Sequence, residues 1–179
     1  ITYWFNKRRE EPGEDLVSAL VGARFRGAPL VHLELMNEAM LILVGGDETT
    51  RHTISGGMEA LLRRPEVHAE LVREPGKLLD AIEEMLRWTT PVKNMNRTAT
   101  RDTELGGQQI RRGDKLLLLY ESGNRDEAAF DAPEEFQIHR QNNHHLAFGG
   151  YGRHFCVGAS LARLEIRVMF EELLRRQQD

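Results

Sequence analysis

The sequence predicts a mainly α-helical protein with a small β-sheet near its middle. Three observations support this fold class. Apolar residues recur at helical spacing, and one such stretch continues from residue 31 to residue 62 without a proline. Two short runs, residues 95–100 and 116–120, carry strand signals. A polar stretch, residues 122–145, shows neither period and is expected to be irregular.

The first half of the chain is expected to consist of helices. Residues 15–23 predict a short amphipathic helix, which glycine and proline at residues 27–29 interrupt. Residues 31–62 predict one long helix of about 45 Å, at about 1.5 Å per residue. Its centre, residues 41–44, is apolar on all sides, so we expect those four side chains to be buried.

The second half alternates helices with short strands. Residues 66–73 and 76–88 predict two helices, and Pro91 ends the second because proline disfavours helix in the preceding residue. A turn at residues 105–108 is expected between short strands. Residues 157–176 predict the last helix, and the long coil before it is unusual unless it has a function or is braced by its neighbours.

Composition and charge limit the classes of function. The 179 residues are 40% hydrophobic and 29% charged, which is typical of a globular domain. The formal net charge of −4 gives no basic field, so nucleic acid is not an expected partner. A single cysteine excludes an internal disulfide and suits a reducing cytoplasm. We expect no membrane span and no targeting segment.

The single cysteine, Cys156, lies in a glycine-rich stretch just before the last predicted helix. Glycine lets a backbone pass close to a ligand where a Cβ would collide. The N-terminus of the following helix favours a thiolate at the sulfur. A thiolate presented to a large flat ligand is typical of a haem-iron ligand. The ordinary alternative for a lone cysteine is a small buried hydrophobic side chain.

The long predicted helix contains two glycines, two acids and two threonines in succession at residues 45–50. Each interior glycine costs about 1 kcal/mol relative to alanine, and threonine can bend a helix. We therefore expect a kink at Gly45 and Gly46, with Glu48 and Thr49 as an acid and an alcohol that deliver protons. A helix irregularity tolerated by packing is the alternative.

Two other groups carry weaker signals by themselves. Glu84 and Arg87 are three residues apart and share a helix face, most often as a solvated ion pair. His144, His145 and His154 lie near the cysteine, but the chain has no Cys-x-x-Cys or His-Glu-x-x-His, which argues against zinc. A Cys–His nucleophile pair would lack a clear third residue.

Residues 45–50, the pair Glu84 and Arg87, and the loop ending at Cys156 together resemble the cytochrome P-450 superfamily of haem-thiolate monooxygenases in order and spacing. The resemblance covers essentially the whole chain, but only the C-terminal, haem-binding half of the family's fold. It implies that residues 1–179 form a single incomplete domain, a C-terminal fragment of a larger monooxygenase.

The resemblance also implies roles for the matching residues. Cys156 would be the metal ligand, bound to the iron of haem b. Glu48 and Thr49 would relay protons to dioxygen at the haem. Gly45 and Gly46 would let the helix pass close over the haem, and Arg97 and His154 would contact its propionates. The loop residues Phe148, Gly150 and Gly158 would also contact the haem. Glu84 and Arg87 would form a structural ion pair, with Arg140 as third partner.

The chain departs from the family pattern at two places. The pattern has phenylalanine seven residues before the cysteine, where this chain has Gly149, and Phe148 lies eight residues before it. Because Gly152 and His154 keep their spacing, one residue is inserted, which bears on how Phe148 packs against the thiolate. Glu135 also stands where many relatives carry arginine.

The implied reaction inserts one oxygen atom of dioxygen into an unactivated C–H bond and reduces the other atom to water. Residues 46–53 and 83–95 resemble bacterial sterol side-chain hydroxylases, which implies a hydrophobic substrate such as a sterol. A separate ferredoxin-type or flavin reductase would supply electrons, in the bacterial cytoplasm. Two alternatives stay open: a peroxide-driven enzyme, against which Glu48 and Thr49 argue, and a catalytically incomplete haem-binding or structural remnant.

Overall fold

A computed structural model describes residues 1–150 and 152–176, and Tyr151 of the cysteine loop lies outside the described residues. The helices are α1 (Thr2–Glu10), α2 (Leu16–Gly22), α3 (His32–Leu62), α4 (Pro65–Arg73), α5 (Leu78–Thr89), α6 (Tyr120–Gly123) and α7 (Ala159–Arg176). The strands are β1 (Arg24–Phe25), β2 (Ala28–Pro29), β3 (Asn94–Thr98), β4 (Thr103–Leu105), β5 (Gln108–Ile110) and β6 (Lys115–Leu119). A 3-10 turn, Pro75–Lys77, joins α4 to α5.

The strands form three separate antiparallel pairs, β1–β2, β3–β6 and β4–β5. The predicted turn at residues 105–108 joins β4 to β5, and both central residues have positive φ, 56° at Gly106 and 78° at Gly107. Glycine adopts such angles readily, and they match the twist of a two-residue hairpin. The mainly helical fold with small sheets that the sequence predicts is therefore confirmed.

The chain divides into two compact units, and the first covers residues 1–48. Its small core contains Phe5 of α1 and Leu35 and Ala39 of α3, all buried. The Asp15 carboxylate caps α2 by accepting a hydrogen bond from the backbone N–H of Ser18 at 2.8 Å. A side-chain acceptor at this position satisfies one of the unpaired amides at a helix start.

The expected burial of residues 41–44 is wrong, because these four side chains are 38% to 67% exposed. The buried cluster of the first unit extends along α3 only as far as Ala39, so it does not cover them. The helix also continues through Gly45 and Gly46, and no break in it marks the expected kink.

The second unit is built around α5, whose strongly one-sided apolar pattern faces the core. The main buried partners are Ile82, Met85 and Leu86 of α5, Leu61 of α3, Leu71 of α4, and Ile166, Phe170 and Leu174 of α7. Helix α5 ends at Thr89, where Thr90 adopts a left-handed conformation with φ of 41° and Pro91 follows. The predicted stop at this proline therefore matches the structure.

Two adjacent glycines let α3 lie directly against α5. A Cβ on Gly57 would come within 2.7 Å of Met85 Sδ, and one on Gly56 within 2.9 Å of Thr89 Oγ1. Atoms do not approach this closely without displacement, so any larger residue would force the helices apart. This close helix packing places the end of α3 over the helix that carries Glu83, Glu84 and Arg87.

Candidate active site

The loop before α7 presents the cysteine sulfur to its surroundings. The side chain of Cys156 is exposed, and α7 begins three residues later at Ala159. The backbone N–H of Cys156 donates a hydrogen bond to the Phe148 carbonyl at 3.1 Å. Gly149 and Gly152 have φ of 83° and 112°, values that favour glycine. Backbone geometry thus fixes a thiol at the N-terminus of an 18-residue helix.

The donor set around this thiol fits haem rather than a bare metal ion. Within residues 1–150 and 152–176, no three Cys, His, Asp or Glu side chains lie close enough together to hold a metal. One thiolate is sufficient when a porphyrin supplies the other iron ligands. The surroundings are open, since Val157 is fully exposed. Gly158 lies close to the sulfur, because a Cβ on it would be in contact with Cys156 Sγ at 3.8 Å.

The ring of Phe148 lies beneath the loop among three side chains. Its centroid is 6.2 Å from that of Phe155 and 5.9 Å from that of His145, and the Arg163 guanidinium carbon lies 4.5 Å above it. The inserted residue therefore does not separate Phe148 from the cysteine, because the Phe148 carbonyl still accepts the hydrogen bond from Cys156.

An ion pair that the sequence did not reveal lies behind Phe148. Arg163 of α7 donates from Nε to Glu83 Oε1 at 2.6 Å and from Nη2 to Glu83 Oε2 at 2.8 Å. His145 Nε2 lies 3.1 Å from the same Oε2. Partial burial raises the pKa of Glu83, but the hydrogen bonds from Arg163 and His145 outweigh it and lower the pKa to about 2.

Glu84 and Arg87 form a fully buried ion pair, with both side chains 0% exposed. All five N–H donors of Arg87 have acceptors. Two go to the Glu84 carboxylate at 2.8 Å each. The other three go to the carbonyls of Asn124, Pro133 and Glu135, at 2.7, 2.9 and 3.0 Å. The Arg87 side chain of α5 thus fixes the backbone of the long coil at three residues.

The Glu84 carboxylate accepts further hydrogen bonds from the same coil. Its partners are the side chains of Arg140 and Asn143, each at 3.1 Å, and the Gln137 backbone N–H at 2.8 Å. The structure therefore brings Glu84, Arg87 and Arg140 together, as the resemblance implies. The coil keeps an irregular path because this buried cluster, rather than a regular ladder, satisfies its polar groups.

Asn124 connects this cluster to the cysteine loop, a role that no sequence signal indicated. The fully buried Asn124 side chain donates to Thr90 Oγ1 at 2.8 Å and accepts from the Leu146 backbone N–H at 2.7 Å. Leu146 lies two residues before Phe148. Asn124 therefore fixes the backbone at the start of the cysteine loop relative to the coil.

The candidate proton-relay residues are neighbours on α3. Glu48 and Thr49 are half-buried, and the Thr49 carbonyl accepts a hydrogen bond from Thr53 Oγ1 at 3.1 Å. Gly45 and Gly46 are exposed, and a Cβ on either would meet no described atom within 4 Å. Gly45, Gly46 and Glu48 belong to the first unit, whereas Thr49 is the first residue of the second.

The candidate propionate contacts, Arg97 and His154, are both exposed. Arg97 is paired with Leu116 across β3 and β6, and its Nη1 donates to the Asn96 carbonyl at 2.9 Å. Arg97 also lines an open cavity of about 250 Å³. Gly150 is exposed as well. The charged end of Arg97 is thus accessible to an anionic group.

Within the described residues, no helix is long and apolar enough to cross a membrane.

Comparisons with known proteins give consistent results. The cytochrome P-450 family profile matches residues 5–178. A steroid C26-monooxygenase of Mycobacterium tuberculosis is 55% identical over 172 residues, which are 96% of this chain and 43% of the relative. A linalool 8-monooxygenase of Pseudomonas putida is 42% identical over 96% of this chain and 42% of its own length.

Solved structures are similar as well. A Mycobacterium marinum cytochrome P-450 in complex with pseudoionone superimposes with a TM-score of 0.92 and 44% identity, covering 99% of this chain and 45% of that one. The chain thus spans less than half the length of the curated relatives named above.

Proposed function

Because the chain belongs to the cytochrome P-450 family, we propose that it carries the haem-thiolate centre of a monooxygenase, with Cys156 as the iron ligand. The reaction inserts one oxygen atom of dioxygen into an unactivated C–H bond and releases the other as water. Haem b is the cofactor of this family, and when bound it supplies the oxygen chemistry. The observation that carries the proposal is the exposed Cys156 thiol at the N-terminus of α7.

The chain's own residues supply the ligand and its stabilisation. Cys156 lies three residues before α7, close to the positive end of its helix dipole, which is a favourable place for the negative charge of a bound thiolate. The hydrogen bond from the Cys156 N–H to the Phe148 carbonyl fixes the backbone that bears the sulfur. Arg97 and His154, both exposed, would hold the two carboxylates of the cofactor through charge-assisted hydrogen bonds.

Proton delivery is assigned to Glu48 and Thr49. The Glu48 carboxyl would serve as a proton source, and the Thr49 hydroxyl would donate towards dioxygen. Gly45 and Gly46, one turn earlier on α3, have no side chain to fill the space beside this pair. A peroxide-driven reaction would not need such a relay.

The substrate is proposed to be a hydrophobic molecule, such as a sterol with an aliphatic side chain. Support comes from the steroid C26-monooxygenases, which are 44% to 55% identical to this chain. Electrons would come from a separate ferredoxin-type or flavin reductase. A single cysteine and relatives from bacteria favour the bacterial cytoplasm.

The test is the absorption spectrum of the reduced carbonyl complex. We expect the purified chain to take up haem and show the thiolate-shifted Soret band, and Cys156→Ala to lose that shift. Ser160→Ala, an exposed position on α7, is the matched control. An unchanged spectrum in Cys156→Ala would remove the assigned ligand, and a chain that never takes up haem would favour the structural remnant.

A further inference from the structure

The ion pair of Glu83 and Arg163 behind the cysteine loop has a third partner, His145. The Ala147 backbone N–H donates to His145 Nδ1 at 3.2 Å, so that nitrogen is an acceptor and the ring proton lies on Nε2. Nε2 then donates to Glu83 Oε2 at 3.1 Å. Glu83 and Arg163 thus carry opposite charges in this cluster, and His145 adds a further side-chain contact to the Glu83 carboxylate.

The Arg163 guanidinium is fixed in place on two sides. Glu83 holds it through two parallel hydrogen bonds of 2.6 and 2.8 Å, a fork geometry that lysine cannot reproduce. Its planar group lies 4.5 Å from the Phe148 ring centroid, within cation–π range. Phe148 is the residue whose carbonyl holds the Cys156 N–H.

The same guanidinium is within electrostatic reach of the sulfur. Hydrogen bonding to Glu83 is the main cause of the raised pKa of Arg163, and the charge of the Cys156 thiolate adds to it. The guanidinium stacked on the Phe148 ring thus places a positive charge next to the residue whose carbonyl holds the Cys156 backbone. The negative charge of Glu83 opposes this effect.

We propose that Glu83 and Arg163 are positioning residues that set the electron density on the Cys156 sulfur, and so the reduction potential of the iron it binds. Arg163 draws electron density towards the thiolate and away from the iron, and Glu83 limits that withdrawal. The inference rests on the proposed function, because it requires haem at Cys156.

The test measures the one-electron reduction potential of the haem-loaded chain by spectroelectrochemistry. In Glu83→Gln the Arg163 charge is uncompensated, so the potential should become more positive. In Arg163→Gln the Glu83 charge is uncompensated, so the potential should become more negative. Each shift should be on the order of tenfold in the equilibrium constant, or about 59 mV.

Opposite signs separate a charge effect from simple loss of structure, which would move both variants in one direction. The double variant should return close to the starting potential. Glu171→Gln is the matched control, because Glu171 accepts from Arg167 Nε at 2.6 Å on the exposed face of the same helix. It should leave the potential unchanged.

If Arg163→Gln does not hold haem, Arg163→Lys replaces it, since the charge is kept and a potential near that of the wild type is expected. Reduction potentials that shift in the same direction in both variants, or no shift in Glu83→Gln, would overturn the inference. The proposed function would still stand if the wild-type chain shows the thiolate-shifted Soret band. Absence of that band from the wild-type chain would overturn both.

Discussion

Replacing Glu84 with glutamine tests the buried cluster that holds the coil, because the change removes charge without changing volume. Glu84 Oε1 accepts from Arg87 and Gln137, and Oε2 accepts from Arg87, Arg140 and Asn143. Glutamine has one acceptor oxygen, and its NH₂ group would face donors. Whichever way the amide is oriented, at least two donors lose their acceptor.

The expected loss of unfolding free energy follows from this count. Breaking a buried ion pair by removing one partner costs about 3–5 kcal/mol. Two unsatisfied buried donors at about 1–3 kcal/mol each give a similar range. Because a domain is stable by about 5–15 kcal/mol in total, about a fifth of the stability or more should be lost.

Urea denaturation followed by far-UV circular dichroism measures this loss. Glu59→Gln is the matched control, since its ion pair with Arg63 has both side chains more than 60% exposed and such pairs contribute little. Equal midpoints for Glu84→Gln and Glu59→Gln would refute the reasoning and leave the coil held by something other than this carboxylate.

Three further predictions follow from other parts of the structure. Gly57→Ala should cost about 1–3 kcal/mol in urea denaturation, because its Cβ would come within 2.7 Å of Met85 Sδ; an unchanged midpoint would mean that α3 is not packed this closely. Thr49→Ala should uncouple electron consumption from product formation, whereas the exposed Ser55→Ala should not; equal coupling in both would exclude the relay role. The pKa of Glu83 is lowered from 4.5 to about 2, so its contribution to stability is full above 4.5 and is lost as the pH falls towards 2. Glu83→Gln should therefore lose less unfolding free energy than the wild type between about pH 5 and about pH 3, and parallel losses would contradict the ion pair.

The elements of the fold were predictable where the signal is local. Pro91 disfavours helix in the residue before it, and α5 ends at Thr89. The long helix predicted over residues 31–62 begins at His32 and ends at Leu62. Each of these boundaries depends on a few neighbouring residues, so it is visible in the sequence alone.

Features that depend on distant partners were not predictable. The residues that follow Gly45 and Gly46 predict a special role for that pair, whereas no such signal accompanies Gly56 and Gly57 in the same helix. Only the second pair meets a neighbouring helix closely, at Met85 and Thr89. Both pairs are adjacent glycines within one helix, so the sequence alone does not indicate which pair faces another helix.

The same limit applies to the candidate site. Cys156 was recognisable because the glycines that shape its loop are adjacent in sequence. Glu83 and Arg163 are 80 residues apart and lie on different helices. Each resembles an ordinary surface residue, so their pairing is visible only when α5 and α7 are packed together.

The hydrogen bonds from Arg87 to the coil also bear on the order in which the protein folds. Its three carbonyl partners are 37, 46 and 48 residues further along the chain. Closing loops of that length has an entropic cost that must be met before any of the bonds forms, so contacts of high sequence separation are made late. The cysteine loop follows this coil and should be among the last parts to become ordered. During biosynthesis, the thiol would therefore be presented to its cofactor only after these long-range contacts of the coil have formed.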